Sequence, residues 1–109
     1  MTRLDALRQL LANVKARDVI LRTDWNVVFH KKSTLDAVTK ANNGSLDGAK
    51  QLHEAVLPEW EWVLHCGGPA EVFTPDGVLD SFIGANADPA RAWLIAILEA
   101  LIAMEEDKE

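Results

Sequence analysis

Three groups of residues in this chain are of types that do chemistry, and each implies a definite reaction or ligand. The first is His65-Cys66 in "EWEWVLHCGGPAEVF", a thiol beside an imidazole. A cysteine nucleophile needs an imidazole within hydrogen-bond reach. The segment reads as a strand, and neighbours on a strand point to opposite faces. Trp60, Trp62, Leu64 and Cys66 then share one face, and Glu61, Val63 and His65 the other. Adjacency thus separates the pair, and a dyad would have to recruit His30 or His53. The reading that follows is Cys66 as a small apolar residue ending a core-facing row. The second group is Gly67-Gly68. A phosphate-cradling loop needs a strand before it, a helix after it and a fuller glycine pattern. Here Pro69 and another strand follow, so the pair reads as a turn. The third group is His30, His53 and His65, with Asp24, Glu54 and Glu61 as oxygen donors. Such residues suit a metal, but no two histidines have the spacing of a helical metal motif. These residues point to no catalytic set, no metal and no cofactor.

The composition sets the frame for these side chains. A chain of 109 residues fits a single domain, 1–109. It buries roughly 60–70% of the surface its unfolded form exposes, enough for one core without staples. The lone Cys66 allows neither an internal disulfide nor a cysteine zinc cluster. The first residues, "MTRLDALRQLL", have no continuous apolar stretch of the kind a signal peptide carries. The longest apolar run, "WLIAILEALIAM", is about half of the ~20 residues a membrane span needs. The expectation is a cytoplasmic protein. Net charge is −6 but uneven: residues 1–50 hold nine Lys/Arg against five Asp, residues 51–109 two Lys/Arg against twelve Asp/Glu. Arg17, Arg22, Lys31, Lys32 and Lys40 form a basic stretch that reads as a solvated face. The acidic sum disfavours nucleic acid as a partner.

Several elements would position these residues. Residues 2–16 carry Leu4, Leu7, Leu11 and Val14 on one helical face, widened by Leu10, with Thr2 as cap. Residues 19–30, "VILRTDWNVVFH", alternate with period two and are rich in β-branched and aromatic types, which predicts a strand. Helix is the competing reading there, because Asp24 and Asn26 sit awkwardly in a strand. Residues 33–41 suggest a short helix capped by Ser33 or Thr34. Asn42 to Ser45 is turn chemistry. A further helix, capped by Ser45, turns Leu46, Ala49, Leu52 or His53, and Val56 inward and stops at Pro58. Strands follow at 59–66, 70–74 and 78–83, joined by the Gly67-Gly68-Pro69 and Pro75-Asp76-Gly77 turns. Asp88 and Pro89 open the last helix. That helix is apolar nearly all round, with Glu99 its only charge between Arg91 and Glu105. Such a helix is buried on more than one side. A second subunit is one source of the second side, which makes Trp93, Leu94, Ile95, Leu98 and Ile102 candidate interface residues of a homo-oligomer.

Part of this order of features resembles a known family. Ser45-Leu46-Asp47 starts a helix, Leu57-Pro58 precedes Trp60-Glu61-Trp62, and Gly67-Gly68 turns. Asn86-Ala87-Asp88-Pro89-Ala90 then opens a helix rich in Leu and Ile. Together these resemble the phage ABA-sandwich domain family, over about 65 of the 109 residues; residues 16–40 lie outside the likeness. The resemblance implies a phage or prophage origin and an α/β/α layered domain. It carries no activity and no site residues.

The fold expected is α+β, an antiparallel sheet of three or four strands with helices on both faces. The function expected is that of a non-enzymatic phage or prophage accessory protein in a bacterial host cell, acting by binding a host or phage protein. The alternative is a binder of a small, nucleotide-type ligand.

Overall fold

A computed structural model describes residues 2–66, 68–74 and 81–108. Five helices and three strands follow in the order α1 (Arg3–Ala16), α2 (Arg22–Asn26), α3 (Lys32–Asn42), α4 (Leu46–Val56), β1 (Glu61–Leu64), β2 (Ala70–Phe73), β3 (Ser81–Gly84) and α5 (Pro89–Lys108). The class is α+β, with a three-stranded antiparallel sheet in the order β1-β2-β3. The Pro75-Asp76-Gly77 turn and the start of the third expected strand lie outside the described residues, as does Gly67.

Local chemistry sets the helix ends. The Thr2 hydroxyl accepts from the Asp5 N–H at 3.1 Å, and the Ser45 hydroxyl accepts from the Gly48 N–H at 3.0 Å. Each satisfies a donor that the first turn leaves without a partner. At the far end of α1, Arg17 takes a left-handed conformation (φ 60°). That turn lets the Asp18 N–H reach the Asn13 carbonyl at 3.0 Å. The Asp88 carboxylate accepts from the Ala90 N–H at 2.9 Å and opens α5 as expected. α3 begins one residue before Ser33, at Lys32, and no side chain caps it.

Residues 19–30 correct the strand reading. They form a turn, the short helix α2 and a loop. The Asp24 carboxylate accepts from the Leu21 N–H at 2.9 Å, and the Phe29 N–H bonds the Trp25 carbonyl at 2.8 Å. The side chains buried here are Trp25, Val28 and Phe29, a spacing of three and four. That is helical order. Val19, Leu21 and Val27, which alternation would bury with Trp25 and Phe29, are exposed, Val19 at 86%.

α5 is the packing centre. One side lies against β2 and β3, and other sides meet α1, α3 and α4. This answers why the helix is apolar all round, and it corrects the interface reading. Trp93, Leu94, Ile95 and Leu98 are buried within the single chain, and Ile102 is half-buried. The second cover of α5 is the chain's own helices, so no partner is needed to explain it. Polar contacts set the orientation of α1 along α5: Arg3–Glu105 at 3.1 Å, Arg8–Glu106 at 2.9 Å and Lys15–Glu99 at 3.2 Å. Exposed pairs of this kind add little stability each but fix the antiparallel direction. Arg91 does more. Its guanidinium donates to the Val14 carbonyl and to the Asn42 carbonyl, both at 2.9 Å. One cation thereby closes the C-terminal ends of α1 and α3, where a positive charge is favoured.

Two glycines let backbones meet. A side chain at Gly84 would lie 2.0 Å from the Ala92 carbonyl oxygen, so only glycine lets β3 touch α5 there. At Gly48, a Cβ would lie 2.6 Å from the Lys40 Cβ and 2.8 Å from the Ala41 nitrogen, which sets how closely α4 approaches α3.

Register divides the sheet into two faces. Trp62 pairs with Val72 and Leu64 with Ala70, while Phe82 pairs with Val72 and Gly84 with Ala70. These residues share the face toward α5, where Ala70 and Val72 are buried. Glu61, Val63, Glu71, Phe73, Ser81 and Ile83 share the other. Val63 and Ile83 are exposed there, at 40% and 56%.

If Leu98 is core, Leu98→Ala costs about 2–5 kcal/mol. The loss, measured by urea unfolding, should be the same at low and high protein concentration. A dependence on concentration would return Leu98 to an interface.

Candidate functional site

The tryptophans, not the His65-Cys66 pair, organise the most distinctive part of the surface. α4 turns Ala49, Leu52 and His53 inward together, as positions three and four apart on one face must. His53 is 1% exposed. Its Nδ1 accepts from the Trp93 indole N–H at 3.2 Å. Its Nε2 therefore carries the proton and donates to the Trp60 carbonyl, 2.8 Å away. Both ring nitrogens are thus satisfied by one neutral tautomer, which ties α4, α5 and the entry to β1. The Trp62 ring lies across this junction, 4.9 Å from the His53 ring and 5.2 Å from that of Trp93. Trp60 stacks on Phe82 with centroids 6.0 Å apart. Trp25 is elsewhere, buried against Phe29.

Among the described residues, the strand carrying Trp62 is one of the two edge strands of the sheet. Its four residues are all exposed, Trp62 at 38%. This corrects the expectation of a core strand: Trp62 and Leu64 face α5 but lie at its margin. Cys66 is exposed in the turn rather than ending a buried row. It makes no hydrogen bond to a histidine among the described residues.

On the outer face, Glu71 stands at the centre. It accepts from the Ser81 hydroxyl, and His65 Nε2 lies 3.5 Å from its other oxygen. The Ser81 hydroxyl bond and the His65 ring hold its carboxyl below the usual carboxylate range. The order is serine, carboxylate, histidine. A hydrolytic triad needs the histidine in the middle, where it takes the serine proton; here the carboxylate separates them. The metal reading fares likewise. His30 lies in the loop before α3, His53 is buried in α4 and His65 follows the end of β1. Among the described residues no three His, Cys, Asp or Glu side chains are grouped to hold an ion. Of the basic stretch, Arg22 is engaged with Asp36, whose carboxyl that guanidinium holds below the usual range. Gly68 takes a positive φ of 136°, as its turn requires.

Three clefts are notable. One between α1 and α2, about 160 Å³, is lined by Ala6, Leu10 and Val27 with Gln9, Asn13 and Asp24. Its polar groups are already used: Gln9 bonds Asn13 at 3.1 Å, and Asp24 bonds Leu21. The others flank Trp60. One of about 180 Å³ lies against Phe82 and the end of α5. The other, about 260 Å³, lies beside Glu61 and Trp62. Among the described residues no helix is long and apolar enough to cross a membrane.

No protein-family model, curated protein or solved structure matches this chain. The Trp60–Trp62 surface was half-visible in the sequence as "WEW", but its exposure was not. The role of His53 could have been sought in its place beside Leu52 on the inward face of α4.

Burial holds the His53 pKa below its usual 6.5. The unfolded chain therefore takes up the proton first as pH falls. The stability His53 contributes is complete above about pH 6.5 and is lost as pH drops toward its lower folded value. Urea midpoints measured between about pH 7.5 and pH 5 should fall accordingly. His53→Gln, which can make both hydrogen bonds without titrating, should flatten that decline. Cys66→Ala should leave the midpoint within about 0.5 kcal/mol of wild type, and alkylation of native Cys66 should be as fast as in urea. A protected thiol would contradict its exposure.

Proposed function

We propose that this protein is a non-enzymatic binding module that engages another protein through its sheet. The observation that carries this reading is the exposed apolar surface on and beside a free strand. Val63 and Ile83 stand out on the uncovered face, and Trp62 and Leu64 at the edge. An open edge offers unpaired N–H and C=O groups to an added strand. Aromatic anchors next to it are the residues that most often carry binding energy. The scattering of the chemistry-bearing side chains also supports binding over catalysis. The Ser45-Leu46-Asp47, Trp60-Glu61-Trp62 and Asn86-to-Ala90 features support a phage or prophage accessory role, with a host or phage protein as partner. A nucleotide-type ligand has less support, since the clefts flanking Trp60 carry carboxylates, which repel phosphate.

The test is capture from a bacterial lysate with mass measurement of the complex in solution. Wild type should retain a defined protein, and the double variant Val63→Lys/Ile83→Lys should lose it. Both positions are exposed, so unfolding should change by no more than about 0.5 kcal/mol. A wild-type chain that stays a bare monomer would sink the reading. A retained small molecule would replace it with the ligand-binding alternative, and a homo-oligomer broken by the double variant would make the partner a second copy.

A further inference from the structure

From the groove beside Trp60 we infer that this protein's partner presents a basic segment, anchored there by an arginine side chain. The inference rests on the reading of the chain as a protein-binding module, and it concerns a different surface from the open sheet face. The groove runs between the sheet and the last turns of α5. Trp60 and Phe82 form one wall. Ala100, Ala103, Met104 and Asp107 form the other, spaced three, four and seven along one face of the helix. The two alanines leave the opening, about 180 Å³, which is the scale of one long side chain rather than a whole small ligand.

The charged side chains that line this opening are both acidic. Glu106 and Asp107 stand at one end of the groove. Glu61 lines a second cleft that shares Trp60, and exposed Glu59 precedes Trp60 in the chain. The chain answers part of that charge itself, with arginines: Arg3 on Glu105 and Arg8 on Glu106. Among the described residues, Asp107 and Glu61 form no ion pair. An indole face bordered by carboxylates attracts a cation through the ring and through the charges together. Arginine suits it better than lysine, because a flat guanidinium stacks on the ring while its N–H fork still reaches carboxylate oxygens. The same carboxylates repel phosphate, which sets nucleic acid and anionic membrane surfaces apart from this groove. The Arg8–Glu106 pair is half-exposed on both sides, so an incoming guanidinium can replace it at small cost.

The experiment uses three synthetic nonapeptides of one design, carrying arginines, lysines or glutamates at the same positions. Each is titrated into the whole chain by calorimetry and tryptophan fluorescence at about 0.15 M salt, where loose long-range attraction is screened. The arginine peptide should bind and perturb the tryptophan emission, the lysine peptide should bind more weakly, and the glutamate peptide should not bind. Asp107→Asn with Glu106→Gln, and separately Ala103→Arg, which fills the groove with the chain's own guanidinium, should each weaken binding about tenfold or more. Glu106 and Asp107 are exposed, so the carboxylate variant should match wild type in circular dichroism and unfolding midpoint; Ala103 is half-buried, and the same two measurements check that Ala103→Arg is folded. Failure of the arginine peptide to bind overturns the inference, as does binding that both groove variants leave unchanged. A lysate partner lost with Val63→Lys/Ile83→Lys but indifferent to the groove variants also overturns it, while keeping the binding-module reading. With neither a peptide nor a lysate partner bound, both fall.

Discussion

The fold depends on burying a helix that has no polar side. α5 runs from Pro89 to Lys108, and from Ala92 to Ile102 its one charge is Glu99. Apolar surface on every side of a helix must be removed from water on every side. One layer cannot do this. The sheet covers one side and α1, α3 and α4 cover the rest. Four of the charges on α5 fall where the covers leave room, and they find partners there. Arg91 meets the carbonyl ends of α1 and α3, and Glu99, Glu105 and Glu106 meet Lys15, Arg3 and Arg8. The apolar surface sets the packing and these polar contacts set direction.

The sheet's character follows from that division. Three strands of four residues each are a minimal sheet, and such a sheet needs packing against a helix to be stable. α5 supplies it through Ala70, Val72, Phe82 and the bare backbone of Gly84. β1 lies beyond the width of α5, so its hold on the core is local. Trp62 rests on His53 and Trp93, and the Trp60 carbonyl is gripped by the same histidine. A buried neutral imidazole thereby holds the strand that carries the most exposed apolar surface. Support from within and exposure without belong to one arrangement.

Much of this was legible in the sequence. Caps at Thr2, Ser45 and Asp88, the apolar stripe of α1 and the antiparallel strands follow from spacing and turn chemistry, which act locally. What was not legible depends on neighbours distant in sequence. The pattern of α5 required a second cover but could not say whose. Residues 19–30 alternate well enough for a strand, yet Asp24 folds back on the Leu21 N–H and a helical turn buries Trp25, Val28 and Phe29 instead. Short segments are decided by such single contacts. In "EWEWVLHC" alternation correctly assigned the two faces of the strand. It could not tell that the inward face would overhang the helix beneath it, leaving Trp62 and Cys66 in solvent.

The position of α5 in the chain order has a consequence for synthesis. Every other described element leaves the ribosome before it. Until α5 emerges, those faces of α1, α3, α4 and the sheet that pack on it have nothing to close upon. Local structures such as the α3–α4 hairpin, tightened by Gly48, can form during that interval. The core cannot, because contacts between residues far apart in sequence wait for the last partner. The segments before α5 are thus synthesised with apolar surface exposed, and the core closes only once α5 has emerged.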